Sequence, residues 1–467
     1  MKNMTLEHIT AACHGVCYGK DAFYNMEVAG VVIDSRQVEK DFLFVALRGE
    51  KVDGHKFIPT AFAQGAAAVL SEEVIENPQG PYILVQSCRE ALKNLASYYR
   101  QSLSVRVVGI TGSVGKTSTK EMIASVLEQK YSVLKTEGNF NNEIGLPLTI
   151  FKIREEHQVA VLEMGISEFG EMHRLAAMAN PDICVITNIG LCHLENLKTR
   201  DGILKAKTES FDHIREGGIA VLNGDDDKLS TIQQVNGRKP IFYGFGKEPA
   251  DNCVVRKSVY ATEMENLGLS GTKAVIHVGE RSFQTVIPIP GDHNVYNALA
   301  AVSVADRLGL SLEQIRAGIE RAGTISGRTN MIRVNDMLVI DDCYNANPVS
   351  MKASLDVLSR ADGRKIAVLG DMGELGEKEK ELHYSVGEYL ATKEVDALFT
   401  AGNLSREIAK AVTEQQGSCQ LHVFDDRESM TEALLEYVKK GDVVLIKASH
   451  FMEFPKVVEA VTREREV

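Results

Sequence analysis

The chain has 467 residues, 44% of them hydrophobic, which is enough for about three domains with full apolar cores. Its formal net charge of −12 argues against a nucleic-acid partner. The N-terminus lacks a basic and then apolar leader, and no apolar run reaches about eighteen residues, so we expect neither a signal peptide nor a membrane span. The eight cysteines are scattered singly, as is typical of reduced thiols, and we expect a cytoplasmic protein.

Residues 1–104 are predicted to form a small α/β domain. Short apolar strands over 31–33 and 42–47 are each followed by a polar segment, and the first of these is Asp34-Ser35-Arg36. Ligands of open sheets bind at the carboxyl ends of strands, which makes these three residues candidate binding groups. Capping and turn formation is the plainer interpretation, and from the residues alone we favour it.

The stretch VRVVGITGSVGKTSTK, residues 105–120, opens a predicted central domain over 105–325. Its apolar, β-branched start indicates a buried strand, which breaks into small residues and then a helix. Gly112 and Gly115 let backbone N–H groups close around an anion, and the helix N-terminus adds partial positive charge. Lys116 adds a full charge, and the Thr117 hydroxyl can reach Mg²⁺. We interpret this shortened G-x-x-G-K-T pattern as a nucleoside triphosphate site, with a glycine-rich turn as the alternative.

Two further candidates stand at the ends of later strands. Glu163 directly follows the apolar run 159–162, and an acid at that place beside a phosphate loop is a natural partner of Mg²⁺. His193 lies just past a strand predicted to end at Thr187. Lys207 lies on a predicted helix, where the residues alone favour a solvated face.

The central domain is predicted to end with an antiparallel, β-rich segment over about 250–290 and then an apolar helix. Asn294 and Asn297 lie near the start of this helix. Because asparagine is common as a helix cap, we take Asn294 as the better cap candidate and Asn297 as the better ligand candidate.

Residues 326–467 alternate short apolar strands with helices, which predicts a doubly wound, mostly parallel, Rossmann-like sheet. One strand ends in a polar run that contains Asp342, Asn345 and Asn347. Polar side chains at a strand's carboxyl end are candidate ligand groups.

A glycine-rich segment of this last domain, residues 370–376, superficially resembles a dinucleotide-binding loop. Its spacing is G-x-x-G-x-x-G, and the acids Asp371 and Glu374 would repel a pyrophosphate. We therefore reject dinucleotide binding there.

Several short patterns together resemble the Mur ligases of cell-wall synthesis. They occur in that family's order and cover most of the chain from Asp34 onward: the G-x-x-G-K-T loop, Glu163-Met164-Gly165, TNIG before His193, AKTE around Lys207, GDHNVYN, SGRTN and DDCYNANP. Each pattern is weak alone, but the ordered set is specific. VLGDMGELG and DDCYNANPVSM are similar to the member that adds a dipeptide, and the DNPR stretch of the tripeptide-forming member is absent.

The resemblance implies a three-domain α/β fold with one task for each domain. Residues 1–104 would bind a UDP-sugar peptide, residues 105–325 would bind ATP on a parallel P-loop sheet, and residues 326–467 would bind the incoming dipeptide. The implied setting is peptidoglycan synthesis, and hence cell shape and division. We expect a monomer.

The resemblance also implies the site residues. The ATP-binding set would be Gly112, Ser113, Gly115, Lys116, Thr117, Ser118, Asn294, Asn297, Arg328 and Asp342, the last near the ribose or the inter-domain face. Two Mg²⁺ ions would be held by Thr117, Glu163, His193 and Lys207. The substrate set would be Asp34, Ser35, Arg36, Asn345 and Asn347, and the catalytic set Lys116, His193 and Lys207. In this family that lysine is carbamylated by CO₂, which makes it carboxylate-like.

The implied activity is ATP-dependent amide ligation. ATP would phosphorylate the terminal carboxylate of the UDP-sugar tripeptide, and the amine of D-Ala-D-Ala would attack the acyl phosphate. A folylpolyglutamate synthase-type ligase is one alternative, although it has no comparable N-terminal domain. A P-loop regulatory NTPase is another, and it would hydrolyse ATP without an amino-acid co-substrate.

Overall fold

The computed structural model describes residues 1–19, 25–334 and 336–463. Three sheets follow one another along the chain, with five, nine and six strands. Each sheet packs against helices, which confirms the predicted three-domain α/β architecture.

The first sheet has the strand order β1-β5-β4-β3-β2, in which only the β1–β5 pair is antiparallel. Its strands are β1 Val16–Tyr18, β2 Gly30–Val32, β3 Phe42–Val45, β4 Ala68–Ser71 and β5 Tyr82–Leu84. The helices of this part are α1 Leu6–Ala12, α2 Ile58–Ala63 and α3 Cys88–Gln101. Helix α3 packs against helices of the second domain, so the two cores are continuous.

The second sheet has the order β14-β13-β12-β11-β10-β9-β6-β8-β7. Its strands are β6 Arg106–Thr111, β7 Val133–Lys135, β8 Val159–Glu163, β9 Ile183–Ile186, β10 Ile219–Asn223, β11 Ile241–Phe245, β12 Val259–Asn266, β13 Thr272–Val278 and β14 Arg281–Ile287. Its helices are α4 Lys116–Leu127, α5 Gly145–Ile150, α6 Glu171–Ala179, α7 Leu194–Leu197, α8 Arg200–Thr208, α9 Asp292–Arg307 and α10 Leu312–Arg321.

The centre of the second sheet is parallel and the edge formed by β12, β13 and β14 is antiparallel, as predicted for residues 250–290. Strands β8 and β9 are buried along their whole length, which explains their nearly unbroken apolar sequences. Because β6 lies between them, the carboxyl ends of all three strands meet at one edge of the sheet.

The third sheet has the order β15-β16-β20-β17-β18-β19, parallel except for the edge strand β15. Its strands are β15 Asn330–Val334, β16 Met337–Asp341, β17 Arg364–Gly370, β18 Ala397–Ala401, β19 Gln420–Phe424 and β20 Asp442–Lys447. Its helices are α11 Pro348–Ser359, α12 Glu379–Ala391, α13 Arg406–Glu414, α14 Arg427–Tyr437 and α15 Pro455–Arg463. Hydrophobic cores lie on both faces, which confirms the doubly wound prediction.

The structure describes all eight cysteines, and none of them forms a disulfide, in agreement with the prediction of reduced thiols. In the described part of the chain, no helix has the length and apolar character needed to cross a membrane.

Candidate active site

The turn between β6 and α4 forms the predicted phosphate loop. Gly112 and Gly115 have φ of +149° and +84°, values that favour glycine, and Gly115 caps the helix that Lys116 begins. Lys116 Nζ donates to Gly112 O at 3.0 Å, so the lysine folds back over the loop. A Cβ on Gly112 would stand 1.9 Å from Thr187 Oγ1, so only glycine fits there.

The segment after β9 braces this loop. The Thr187 hydroxyl donates to Val114 O at 2.6 Å, and Asn188 Oδ1 accepts from Val114 N at 3.0 Å. Ser113 Oγ accepts from Gly190 N at 2.9 Å. The TNIG pattern thus holds the phosphate loop in shape through direct hydrogen bonds.

Glu163 ends β8 beside the phosphate loop, because it pairs in register with Ile110 of β6. Its side chain is buried, and Oε1 accepts from Asn141 Nδ2 at 2.8 Å. Within the described residues, Oε2 is buried without a hydrogen-bond partner. A buried, unpartnered carboxylate oxygen is costly unless a cation or donor meets it.

His193 precedes the short helix α7 in a left-handed conformation, with φ of +50°. Its Nδ1 lies 2.6 Å from Glu374 Oε2 of the third domain, although the angle does not make a hydrogen bond. The ring therefore stands at the boundary between the second and third domains.

Lys207 lies on α8 and is fully buried, not on a solvated face. Burial, with a smaller contribution from the charge of Lys116, lowers the pKa of Lys207 to about 8, while Cys192 opposes the shift. A lysine with such a pKa is partly neutral near pH 8, and the neutral amine is its nucleophilic form. The interpretation as a solvated lysine, drawn from the residues alone, is wrong.

A cavity of about 350 Å³, here called the phosphate cavity, lies over the loop. The central domain contributes Ser113, Gly115, Lys116, Thr117, Glu163 and His193 to its wall. The third domain contributes Asn345 and Asn347. The structure thus brings the phosphate-loop residues, the acid and the histidine together, as the sequence predicts.

A second cavity of about 260 Å³, the linker cavity, lies between α4 and the segment that joins the second and third domains. Ser118, Asn294 and Arg328 line it. Arg328 also lines the phosphate cavity and stacks on the Tyr344 ring, with its guanidinium carbon 4.0 Å from the ring centroid. The two cavities together would suit the phosphates and the base of one nucleotide.

The prediction that Asn294 caps its helix is wrong. Gly291 is the N-cap, and Asn294 lies inside α9 with its Nδ2 donating to Pro290 O at 2.9 Å. Asn297 Nδ2 donates to Asn294 Oδ1 at 2.9 Å, and its own Oδ1 accepts from Thr119 Oγ1 at 2.8 Å. Asn297 therefore links α9 to α4 beneath the cavity wall, and its ligand role stays a prediction.

Asp342 lies at the inter-domain face, which is one of the two positions that the family resemblance implies. Its carboxylate accepts from Thr329 N at 3.0 Å, from Lys447 Nζ at 2.7 Å and from the Ser354 hydroxyl. These bonds fasten the linker to the third sheet, and a direct contact with ribose stays a prediction.

The predicted UDP-sugar residues lie apart from the phosphate cavity. Arg36 and Asp34 form a 2.6 Å ion pair, which holds the pKa of Asp34 below its usual range, and Ser35 is buried. A cavity of about 440 Å³ between the first and second domains is lined by Ile33 and Gln37, on either side of these three residues, but not by the three themselves.

Two residues in this region had no assigned role in the sequence analysis. Tyr344 stacks under Arg328, and Glu374 approaches His193. Both belong to the third domain and reach the site only through domain packing, so no local pattern could reveal these contacts. The DDCYNANP and GDMGELG segments were the only signals of their positions.

The residues present fit Mg²⁺ bound with a nucleotide. No cluster of three or more His, Cys, Asp or Glu side chains that could hold a metal occurs within the described ranges. Mg²⁺ at nucleotide sites is held by one or two carboxylates together with phosphate oxygens. The unpartnered Glu163 Oε2 and the Thr117 hydroxyl can supply protein ligands of that kind.

The fold and the site together define a P-loop enzyme in which a second, Rossmann-like domain contributes to the wall of the phosphate cavity. Family models match along the chain: "Mur ligase family, catalytic domain" over residues 27–100, "Mur ligase middle domain" over 110–305 and "Mur ligase, glutamate ligase domain" over 327–450. The chain belongs to the Mur ligase family.

Relatives of known name match over nearly the whole chain. The UDP-N-acetylmuramoyl-tripeptide--D-alanyl-D-alanine ligase of Bacillus subtilis (strain 168) is 38% identical over 92% of this chain and 93% of its own length. The ligase of the same name from Escherichia coli (strain K12) is 32% identical and covers 99% of both chains.

Solved structures agree with this family. MurF from Acinetobacter baumannii superposes with a TM-score of 0.89 at 32% identity, covering 98% of this chain and 99% of its own. MurF ligase from Thermotoga maritima, in complex with ADP, has a TM-score of 0.80 at 34% identity, covering 94% and 98%. A Mycobacterium tuberculosis folylpolyglutamate synthase, at 16% identity and a TM-score of 0.62 over 80% of this chain and 93% of its own, shares the fold alone.

Proposed function

We propose that this chain joins D-alanyl-D-alanine to a UDP-N-acetylmuramoyl-tripeptide, with ATP as the source of energy, in peptidoglycan precursor synthesis. The relatives that cover nearly its full length carry that activity in their names. The observation that carries the proposal is the phosphate cavity, where Lys116, Glu163 and His193 of one domain face Asn345 and Asn347 of another. Such a site can bring a triphosphate and two further reactants together.

The chemistry follows from the poor reactivity of a free carboxylate as an acyl donor. A carboxylate oxygen of the tripeptide attacks the γ-phosphorus of ATP, ADP leaves, and an acyl phosphate forms. The dipeptide nitrogen then attacks the acyl carbon and loses a proton, and the carbon–oxygen bond to phosphate breaks. The products are an amide, ADP and inorganic phosphate.

The chain's own residues account for the first of these steps. The loop N–H groups and Lys116 lie where the triphosphate would bind, and they offset the negative charge that accumulates during phosphoryl transfer. Bound Mg²⁺ would add Lewis acidity, with Thr117, Glu163 and His193 as the residues that hold it.

Lys207 is proposed to act as a carbamate. Its burial and its pKa of about 8 supply the neutral amine that reaction with CO₂ requires. The product would be an anionic group beside the His193 loop, suited to a second Mg²⁺. Lys207→Ala should lose activity that short carboxylic acids partly restore.

The remaining assignments concern the first and third domains. We propose that residues 1–104 bind the UDP-sugar peptide through the region of Asp34, Ser35 and Arg36, and that residues 326–467 receive the dipeptide. The protein would act as a monomer in the cytoplasm, where ATP and UDP-linked precursors are available.

The proposal is tested by measuring phosphate release from purified protein with Mg²⁺ and ATP. We expect release only when the UDP-sugar tripeptide and D-Ala-D-Ala are both present, together with a product heavier by one dipeptide less water. ATP hydrolysis that ignores both co-substrates would favour a regulatory NTPase. Ligation of glutamate to a folate would favour the folylpolyglutamate synthase alternative.

A further inference from the structure

A cavity of about 320 Å³, here called the side cavity, adjoins the phosphate cavity on the side of the third domain. The two cavities share Ser113, Lys116, His193, Asn345 and Asn347 in their walls. A molecule in the side cavity would therefore lie next to the place where phosphoryl transfer occurs. A volume of this order suits a small ligand.

The side cavity has one acidic group among the described residues of its wall, the carboxylate of Glu374. It lies in the loop after β17, and 59% of its side-chain surface is exposed. A carboxyl group that is this exposed is ionised at neutral pH, so Glu374 presents a negative charge to the cavity.

Glu374 is an unusual acid for a phosphate-binding region, and its only close charged neighbour among the described residues is the His193 ring, 2.6 Å away. A fixed negative charge near Lys116 repels a triphosphate and competes for the charges that should bind it. Glu374 also has φ of +61°, a conformation that glycine would adopt at less cost. An acid in this backbone conformation within a phosphate-binding region indicates a function other than phosphate binding.

Resting on the proposed function, we infer that Glu374 binds the α-ammonium group of the incoming dipeptide and holds it beside the acyl phosphate. The free α-amino group of a peptide has a reference pKa near 8, so most of it arrives as a cation at neutral pH. A carboxylate with an ammonium group forms a charge-assisted hydrogen bond. Glu374 is thus a binding and positioning residue for the second reactant, with no part in phosphoryl transfer. The bound ammonium group gives one proton to water before the nitrogen attacks, and the second proton leaves as the amide forms.

The other residues in the wall of the side cavity suit the rest of a small dipeptide. Leu191, Leu375 and Phe451 give it an apolar lining, with Phe451 63% exposed. His450 is exposed at the same wall and can meet a terminal carboxylate through its ring nitrogens. D-Ala-D-Ala has two methyl side chains between an ammonium end and a carboxylate end, which match the apolar lining, Glu374 and His450.

The test compares two nucleophiles in wild type and Glu374→Gln. With D-Ala-D-Ala, the variant should raise KM by about tenfold to a hundredfold, because a charge-assisted bond is lost. With hydroxylamine, which is neutral at pH 8 and traps the acyl phosphate, ADP release should stay within about twofold of wild type. Glu377→Gln, an exposed acid on the next turn of the same segment, is the matched control and should change neither rate.

A second measurement separates binding of the ammonium group from a general structural effect. Propionyl-D-alanine, which replaces the amine by hydrogen and so has no donor for a carboxylate at this position, should inhibit wild type and Glu374→Gln equally. Equal losses with dipeptide and hydroxylamine, weaker binding of this amine-free analogue in the variant, or a raised Mg²⁺ requirement would each overturn the inference. If the wild type is inactive with both nucleophiles, the proposed ligation is refuted as well. If the wild type is active and Glu374→Gln behaves like it, only the role of Glu374 in binding the ammonium group is refuted.

Discussion

Glu163 is a buried acid with one oxygen committed to Asn141 and the other unpartnered within the described residues. We expect Glu163→Gln to keep the fold and the hydrogen bond to Asn141, since an amide oxygen can also accept. Because the negative charge is lost, the Mg²⁺ concentration for half-maximal ligation should rise by about tenfold to a hundredfold. Titration of activity with Mg²⁺ at saturating ATP measures this shift.

Glu168→Gln is the control for that experiment, because Glu168 is exposed on the segment after the same strand. It should leave the Mg²⁺ titration unchanged. A Glu163→Gln protein with the wild-type Mg²⁺ requirement would show that this carboxylate does not meet the metal.

Lys207 makes stability depend on pH in a direction that its burial dictates. Its pKa is about 8 when folded and near 10.5 when unfolded, so below pH 8 both states carry the proton and folding bears the full cost of burying the charge. The cost disappears as pH rises from 8 to about 10.5, where the unfolded lysine deprotonates. Lys207→Met should therefore be more stable than wild type at pH 7 by on the order of 2 kcal/mol, and the gap should close by pH 10.5.

Urea unfolding in CO₂-free buffer without Mg²⁺ measures this gap at each pH. Lys205→Met is the control, since Lys205 is exposed on the same helix and should show no pH-dependent difference. A gap that stays constant across pH 7 to 10.5 would mean that Lys207 is not buried as a strained cation.

The phosphate loop and the segment after β9 act as one structural element, joined by the hydrogen bonds of Val114 to Thr187 and Asn188. We expect Gly112→Ala to disrupt both the phosphate loop and the segment after β9, because the alanine Cβ would meet Thr187 Oγ1 at 1.9 Å. The free energy of unfolding should fall by about 3 kcal/mol or more, and ATP binding should be lost. Urea unfolding and ATP calorimetry test this.

Gly237→Ala separates backbone strain from collision. Gly237 also has positive φ, at +74°, but open space surrounds its Cβ position. Its alanine variant should lose only about 1 kcal/mol and bind ATP normally. Equal losses in the two variants would contradict a specific contact between the phosphate loop and Thr187.

The secondary-structure elements themselves were largely predictable. Strands β8 and β9 carry uninterrupted apolar sequences, and their carboxyl ends define the places of Glu163 and His193. The N-cap of α9 is predicted wrongly, because the preference for asparagine favours Asn294, whereas Gly291, which makes no side-chain cap, occupies that position. Cap preference is weak where the preceding chain geometry decides the helix start.

The rest of the site depends on packing that no local pattern records. Lys205 and Lys207 differ only in the face of α8 that they occupy, and the spacing of Lys207 four residues after the buried Ile203 was the available signal. Glu374 joins the site only because the third domain packs against the second. The phosphate loop could be predicted from the sequence, but the site residues that the third domain contributes through packing could not.

At the scale of the whole molecule, we expect nucleotide binding to be coupled to the linker between the second and third domains. Residues 321–325, 328 and 329 line the linker cavity, so a bound nucleotide would cover the chain between the second and third domains. A non-hydrolysable ATP analogue with Mg²⁺ should slow trypsin cleavage after Arg321 and Arg328 by about tenfold or more. Cleavage after the exposed Lys247 and Arg256 should continue at its former rate. Protection at all four sites alike, or at none, would contradict this coupling.

Transfer of the terminal phosphoryl group of ATP to a substrate carboxylate is the central claim, and the fate of that carboxylate's oxygen tests it most directly. The UDP-sugar tripeptide is labelled with ¹⁸O in its terminal carboxylate and ligated to D-Ala-D-Ala in unlabelled water. If the carboxylate attacks the γ-phosphorus, each released phosphate carries one ¹⁸O derived from the labelled carboxylate. Phosphate that takes its new oxygen from water would contradict the account.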